Sequence, residues 1–245
     1  MTAREFYQAG KLAEAVQALN VELRDNPGDT KRRTFLFELL CFAGNFDRAD
    51  KQLEILAQEN KDAQLGALVY RAALHAERIR CELFQKKDYP QTAGGSASAE
   101  LKGTWNGKPF ESISDTDPRI GGRLEVFAAG QYLWIPFEHI ESIEVQAPKR
   151  VRDLIWAPAM LRPSPTFKAR ELGEVLLPAL APFSFQQEDD ALKLGRATRW
   201  RELDSGEVVP FGQKMFLIDD EEAPILELRR LEIQPASSVN QHVSA

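Results

Sequence analysis

The sequence predicts an α+β protein: N-terminal all-α helical repeats followed by a mainly antiparallel β-rich α+β domain. Three observations predict it. Gly10-Lys11-Leu12-Ala13-Glu14-Ala15 is echoed 34 residues on by Gly44-Asn45-Phe46-Asp47-Arg48-Ala49, the period of a helix-turn-helix array. Apolar residues recur every three or four positions as far as about residue 88, and after about residue 100 they alternate in short runs, which is the change from helix to strand periodicity. Between the two lies a segment rich in glycine, serine and alanine, residues 89–100, expected to be a linker. The organisation that follows is a repeat domain at 1–88, the linker, a β-rich domain at 101–234 and a disordered tail at 235–245.

The helices follow in order. Phe6, Ala9, Leu12, Ala13, Val16, Leu19 and Leu23 give a helical apolar stripe, which Asn26-Pro27-Gly28-Asp29 ends. Asp29 or Thr30 can cap the next helix, where Phe35, Leu36, Leu39, Leu40, Phe42 and Ala43 crowd together until Gly44-Asn45. Residues 48–59 form its partner, with Ala49, Leu53, Leu56 and Ala57 on one face, and a longer helix runs from about Ala63 to Phe84. Small residues at Ala15 and Ala49 let paired helices approach closely, and glycine at the turn accepts positive φ. These segments resemble tetratricopeptide repeats, with Pro27 closing the first. The unit from about Asp62 lacks the Gly-x-x-x-x-Ala turn, so two repeats and a single helix are expected to lean on the second domain.

In the second half, Leu124–Phe127 and Tyr132–Ile135, joined by Ala128-Ala129-Gly130-Gln131, read as a hairpin, and Ile140–Val145 as one more strand. Further strands are expected at Ala191–Arg201, Lys214–Ile218 and Ile225–Ile233, the last two joined by the acidic turn Asp219-Asp220-Glu221-Glu222. Together they suggest a small antiparallel sheet or partly open barrel. Five prolines at 158, 163, 165, 178 and 182 predict irregular chain, with at most one short helix, over 157–190.

Composition excludes several function classes. The net charge is −6; residues 1–88 hold 14 Lys+Arg against 14 Asp+Glu, so the acidic excess lies in 89–245. A chain with pI near 5.3 and only short, interspersed basic groups carries no footprint for nucleic acid. No apolar run is long enough to span a bilayer, and the start lacks a signal-peptide pattern, so a cytoplasmic protein without a membrane contact is expected. Cys41 and Cys81 make no disulfide framework.

The search for chemistry returns little. His75, His139 and His242 have no metal-ligand spacing, so no metal and no cofactor are expected. Cys41 and His75 stand 34 residues apart, at equivalent repeat positions, and read as two residues on one helical face. Gly103–Pro109 lacks the spacing and the Ser/Thr of a phosphate loop. Asp115, Asp117 and Arg119 form the most polar constellation of the second half; a hydrolase would have to use them with Glu138 or His139, but Asp and Ser ahead of Pro118 ordinarily build a turn. The reading is therefore non-enzymatic.

A resemblance narrows it. Phe110–Gly121, Gly130–Phe137 (Gly-Gln-Tyr-Leu-Trp-Ile-Pro-Phe), Arg152–Ala159, Gly212–Met215 and, near the start, Arg33–Cys41 are similar, in the same order, to the long motifs of the ImpE/TagJ (SciE-type) family. These are accessory proteins of the bacterial type VI secretion system. The chain departs from the family at 90–100 and 162–170. The resemblance implies a non-catalytic, cytoplasmic adaptor that binds the N-terminal helix of the small (TssB-like) subunit of the contractile sheath and tunes sheath assembly or its recycling by the ClpV unfoldase. An amphipathic helix can lie in a groove between repeat helices. In the repeat frame that groove is lined by Tyr7, Lys31, Thr34, Glu38, Cys41, Phe42, Leu68, Ala72 and His75, with Phe42 and Tyr7 as aromatic anchors. The Tyr132/Trp134 hairpin is the rival surface. General helix or peptide binding is the alternative function.

Overall fold

The computed structural model describes residues 1–90, 101–165, 167 and 172–234; most of the expected linker and the expected tail lie outside them. The first 86 residues form α1 (Ala3–Gln8), α2 (Leu12–Asp25), α3 (Thr30–Phe42), α4 (Phe46–Leu56) and α5 (Lys61–Lys86). Thr2, Asp29 and Asn60 cap α1, α3 and α5 by accepting backbone N–H bonds with their side chains. The two glycines of the echo do what the spacing requires: Gly10 and Gly44 turn the chain at φ +76° and +68° between the members of each helical pair. Ala15 and Ala49 are fully buried. A Cβ on Gly44 would overlap the Phe185 ring, whereas one on Gly10 would meet only Arg196 Nη1 at 3.5 Å.

The second half contains β1 (Gly103–Trp105), β2 (Lys108–Phe110), β3 (Ile113–Asp115), β4 (Arg123–Ala128), β5 (Gln131–Pro136), β6 (Ile140–Val145), β7 (Trp156–Pro163) and β8 (Gly173–Pro178). A four-residue helix, α6 (Asp190–Lys193), precedes β9 (Thr198–Glu202), β10 (Val208–Gly212), β11 (Met215–Ile218), β12 (Glu221–Pro224) and β13 (Arg230–Ile233). Eight strands make one sheet in the order β2-β1-β13-β6-β7-β8-β4-β5; β12-β11-β3 and β10-β9 are separate small sheets. Every paired strand is antiparallel.

Three hairpins use two-residue turns in which both residues have positive φ: Asn106-Gly107, Ala129-Gly130 and Asp219-Asp220. That conformation matches the twist of the flanking strands. The β4–β5 loop is therefore tighter than the four residues expected, and Glu221 and Glu222 belong to β12 instead of the acidic turn. Asn106-Gly107 is a hairpin signal the sequence reading passed over.

Three expectations are corrected. Residues 157–190 are not mainly irregular, because β7 and β8 occupy much of the span. Pro158 sits beyond the end of β6, whose last residue, Val145, pairs with Ala159, so the absent N–H is not needed on that side. Pro163 and Pro178 close their strands. The expected strand 191–201 begins only at Thr198, since Asp189 caps α6 and Gly195 turns the chain at φ +63°. The expected strand 225–233 is divided into a 3-10 turn at Ile225–Glu227 and β13.

One core lies inside the sheet region, around Phe110, Leu124, Phe137, Ile143, Leu177 and Leu231. A second begins among α1–α5 and continues without a break into Phe127, Ile155, Trp156, Leu180 and Leu194, and a small third joins Leu192, Val209 and Phe211. The reason is α3, where Leu36–Phe42 are all buried. A helix apolar on every side must be covered on every side, and the strand half supplies the missing cover. Tyr70 stacks on Trp156 across that boundary at a centroid distance of 6.1 Å, with Phe37 tilted against Tyr70 at 5.8 Å.

Candidate partner-binding site

The groove expected along α3 is filled by the protein itself. Phe42 has no exposed surface, and Glu38 and Cys41 are buried. Glu38 accepts a bond from Arg152 Nη1 at 3.0 Å, and burial raises its pKa against the pull of that guanidinium. Burial, with Glu38 and Glu77 nearby, pushes the Cys41 thiol well above its usual range, while His75 is exposed on α5. Phe42 is thus corrected from anchor to core. Tyr7 is half-buried, edge-on to Phe35 at 5.5 Å, with Arg196 4.9 Å over its ring. Thr34 donates its hydroxyl to the Thr30 carbonyl at 2.8 Å, and Lys31 is exposed.

The rival hairpin also faces inward. Trp134 is stacked on Tyr89 at 6.0 Å, with Arg123 4.4 Å over its ring. Its indole N–H donates to the Tyr132 hydroxyl, which in turn donates to Glu125. Arg123 also donates to the Pro90 carbonyl at 2.7 Å. Trp134 therefore clamps the chain leaving α5 to the sheet, and Tyr89-Pro90 is a packed segment.

Beneath that clamp runs a buried chain of charges that sequence spacing did not disclose. Arg80 of α5 donates twice to Glu125 of β4, at 2.7 and 2.8 Å, and once to Glu77 at 3.0 Å. Lys214 donates to Glu125 at 2.6 Å and is ion-paired with Asp115 of β3. Trp156 Nε1 donates to Glu77 at 3.2 Å. Burial would raise the Glu125 pKa, but Arg80 and Lys214 outweigh it and hold the carboxyl at about 2. Asp115 has burial as the larger effect and is pushed up to about 7, against the attraction of Lys214. The partners are 45 and 89 residues apart in sequence. The only local hint is a glutamate within the apolar run Leu124-Glu125-Val126-Phe127. Asp117 is fully buried and accepts both the backbone N–H and the guanidinium of Arg119. The Asp115–Arg119 segment is a paired, enclosed turn whose Arg119 guanidinium lies 4.7 Å over the Phe84 ring of α5.

The open surface is elsewhere on α5. Asn60 starts this helix by accepting from Ala63 N at 2.9 Å, and its first turns project Leu65, Leu68 and Val69, exposed to 64%, 65% and 52%. Leu65 and Leu68 stand one turn before Val69 and Ala72, so the four form an i, i+3, i+4, i+7 apolar face. α1 packs with α2 and α3 with α4, but no helix follows α5 to cover this face among the described residues. Beside it lies a groove of about 930 Å³ between Val69/Ala72 and the sheet residues Pro158, Met160 and Leu176. The Gly130 turn of the β4–β5 hairpin closes one end, its Cβ direction meeting Ala72 at 3.5 Å. Arg162, Arg229 and Glu174 line the sheet side, together with Arg230, which is 3.6 Å from Glu144. The structure thus gathers Leu68, Ala72 and His75 of the expected contact residues on α5. It separates them from Tyr7, Lys31 and Thr34 on the first helices, and buries Glu38, Cys41 and Phe42.

Comparison with known proteins places this arrangement. The family model "ImpE protein" matches residues 107–232. The chain is 32% identical to the type VI secretion system accessory component TagJ of Pseudomonas aeruginosa, over 97% of this chain and 93% of that protein. A crystal structure of a Vibrio parahaemolyticus protein superposes with a TM-score of 0.81 at 24% identity, covering 95% of this chain and 97% of the other. The last shows that the fold is shared. With a relative of that identity aligned along nearly its whole length, the chain belongs to the ImpE family.

Proposed function

We propose that the protein is a non-catalytic, cytoplasmic adaptor of bacterial type VI secretion that receives the N-terminal helix of the small contractile-sheath subunit and tunes sheath assembly or its recycling by the ClpV unfoldase. Kinship with an accessory component of that system supports the setting. The observation that carries the binding mode is the uncovered apolar face Leu65, Leu68, Val69 and Ala72 beside an open groove. On this reading α1–α4 are two tetratricopeptide-like units, α5 opens a third, and the partner supplies the helix that the third lacks. The division into 1–88 and 101–234 marks the two parts that meet there.

The contact residues are Leu68, Ala72 and His75 of the original set, joined by Leu65, Val69 and Met160. Covering the remaining exposed surface of Leu65, Leu68 and Val69 contributes roughly 1–2 kcal/mol each. Calorimetric titration of the full chain with a peptide of the sheath subunit's N-terminal helix, beside a scrambled peptide, tests the proposal. Saturable binding of the first alone is expected; equal binding of the two, or none, refutes it.

A further inference from the structure

The β9–β10 hairpin builds a second concave surface that shares no residue with the groove along α5: a cleft of about 500 Å³ between β9 and the segment Gln186–Asp189. β9 pairs only with β10. In that ladder Trp200 stands opposite Pro210, which has no N–H to donate. At its two ends, Gln213 N donates to the Ala197 carbonyl at 3.1 Å and Leu203 N to the Glu207 carbonyl at 2.8 Å. Antiparallel pairs alternate between bonded and non-bonded. Residues 197, 199, 201 and 203 therefore face β10, while Thr198, Trp200 and Glu202 turn their backbone N–H and C=O to the opposite edge. No strand covers that edge among the described residues.

The cleft runs along this edge. Successive side chains of a strand point to opposite faces, yet the consecutive residues Arg199, Trp200 and Arg201 all line it. Across from them is Gln187, only 7% exposed. Its Nε2 donates to the Phe183 carbonyl at 3.5 Å, but its Oε1 is buried without a hydrogen-bond partner. Arg199 is neutralised by Asp189 at 3.1 Å. Arg201 has no carboxylate within ion-pair distance among the described residues and lies 5.5 Å over the Phe211 ring. Trp200 is 39% exposed beside it.

We infer that this cleft takes an extended peptide segment of a partner protein, added as a third strand along β9, with a carboxylate side chain that meets Arg201. The segment's backbone pairs with the free N–H and C=O of Trp200; strand addition to an exposed edge is a recurrent mode of peptide recognition. The inference is independent of helix binding at α5.

The probe is a capped five-residue peptide of valine and threonine with glutamate at its centre, titrated into the isotope-labelled full chain. A lysine-centred version and an N-methylated glutamate version serve as comparisons. The Trp200 amide is expected to shift saturably and exchange more slowly with the glutamate peptide. The lysine peptide should bind about tenfold more weakly, by loss of one charge-assisted contact, and the N-methylated one should not bind. Arg201→Glu, on an exposed side chain, should invert the glutamate–lysine preference. An unmoved Trp200 amide, equal binding of the two charged peptides, or self-pairing of β9 into a dimer that excludes them would overturn the inference.

Discussion

Leu68 and Asp115 show how opposite environments give single residues opposite roles. Leu68 is 65% exposed on a regular helix, so replacing it alters little inside the fold. Leu68→Asp is expected to change stability by no more than about 0.5 kcal/mol. It should weaken the sheath-helix peptide at least tenfold, because a carboxylate would have to be desolvated in the contact; calorimetry and denaturant unfolding of the same variant read both numbers. Asp115 is enclosed, with its pKa raised to about 7. A carboxyl whose folded pKa exceeds its unfolded value favours folding below the unfolded pKa, and that contribution is lost as pH rises through the folded one. Between pH 4 and pH 7 Asp115 should therefore erode stability by roughly 1.4 kcal/mol per unit at most. Glu125, held at about 2, acts the other way, and its contribution is lost only below about pH 4.5. Unfolding of wild type and Asp115→Asn across that window checks the sign: wild type should lose ground to the variant as pH rises, and parallel curves would contradict the assignment.

Among elements, the two glycine turns carry unequal constraints despite their identical place in the echo. Both have positive φ, which costs a non-glycine residue about 1 kcal/mol. Only at Gly44 would a new methyl overlap the Phe185 ring. Gly44→Ala should cost about 1–3 kcal/mol more stability than Gly10→Ala for overpacking, read as a lower denaturant midpoint; equal losses would show that the ring yields freely. The helical pairs and the β4–β5 hairpin were legible because local signals set them: glycine at a fixed period, apolar spacing, alternation. β7 and β8 were hidden, because proline at 158, 163 and 178 reads as a breaker unless one knows that it lies past a neighbour's end or at a terminus. The charged chain Arg80–Glu125–Lys214–Asp115 was hidden for a different reason, since long-range pairing leaves no periodicity. Part of the proposed contact face could be named from the sequence. The 34-residue frame pointed to Leu68, Ala72 and His75, but it could not reveal that the equivalent face of α3 is covered by Trp156 and Arg152.

At the scale of the whole molecule, the strand half completes the repeat half rather than following it as an appendage. It supplies the cover for α3, clamps the end of α5 through Trp134 and Tyr89, and leaves one α5 face open beside the sheet. Two stacked units and one helix are fewer than a free-standing array requires, so the rigid placement of α5 depends on the sheet. In the proposed function the partner helix occupies this open face. Hydrogen–deuterium exchange of the full chain, with and without a saturating peptide of the sheath subunit's N-terminal helix, tests it most directly. Slowed exchange is expected only in the first half of α5 and in the neighbouring β7 and β8. Protection on α1 and α3 around Tyr7, Lys31 and Thr34, with α5 unchanged, would contradict it.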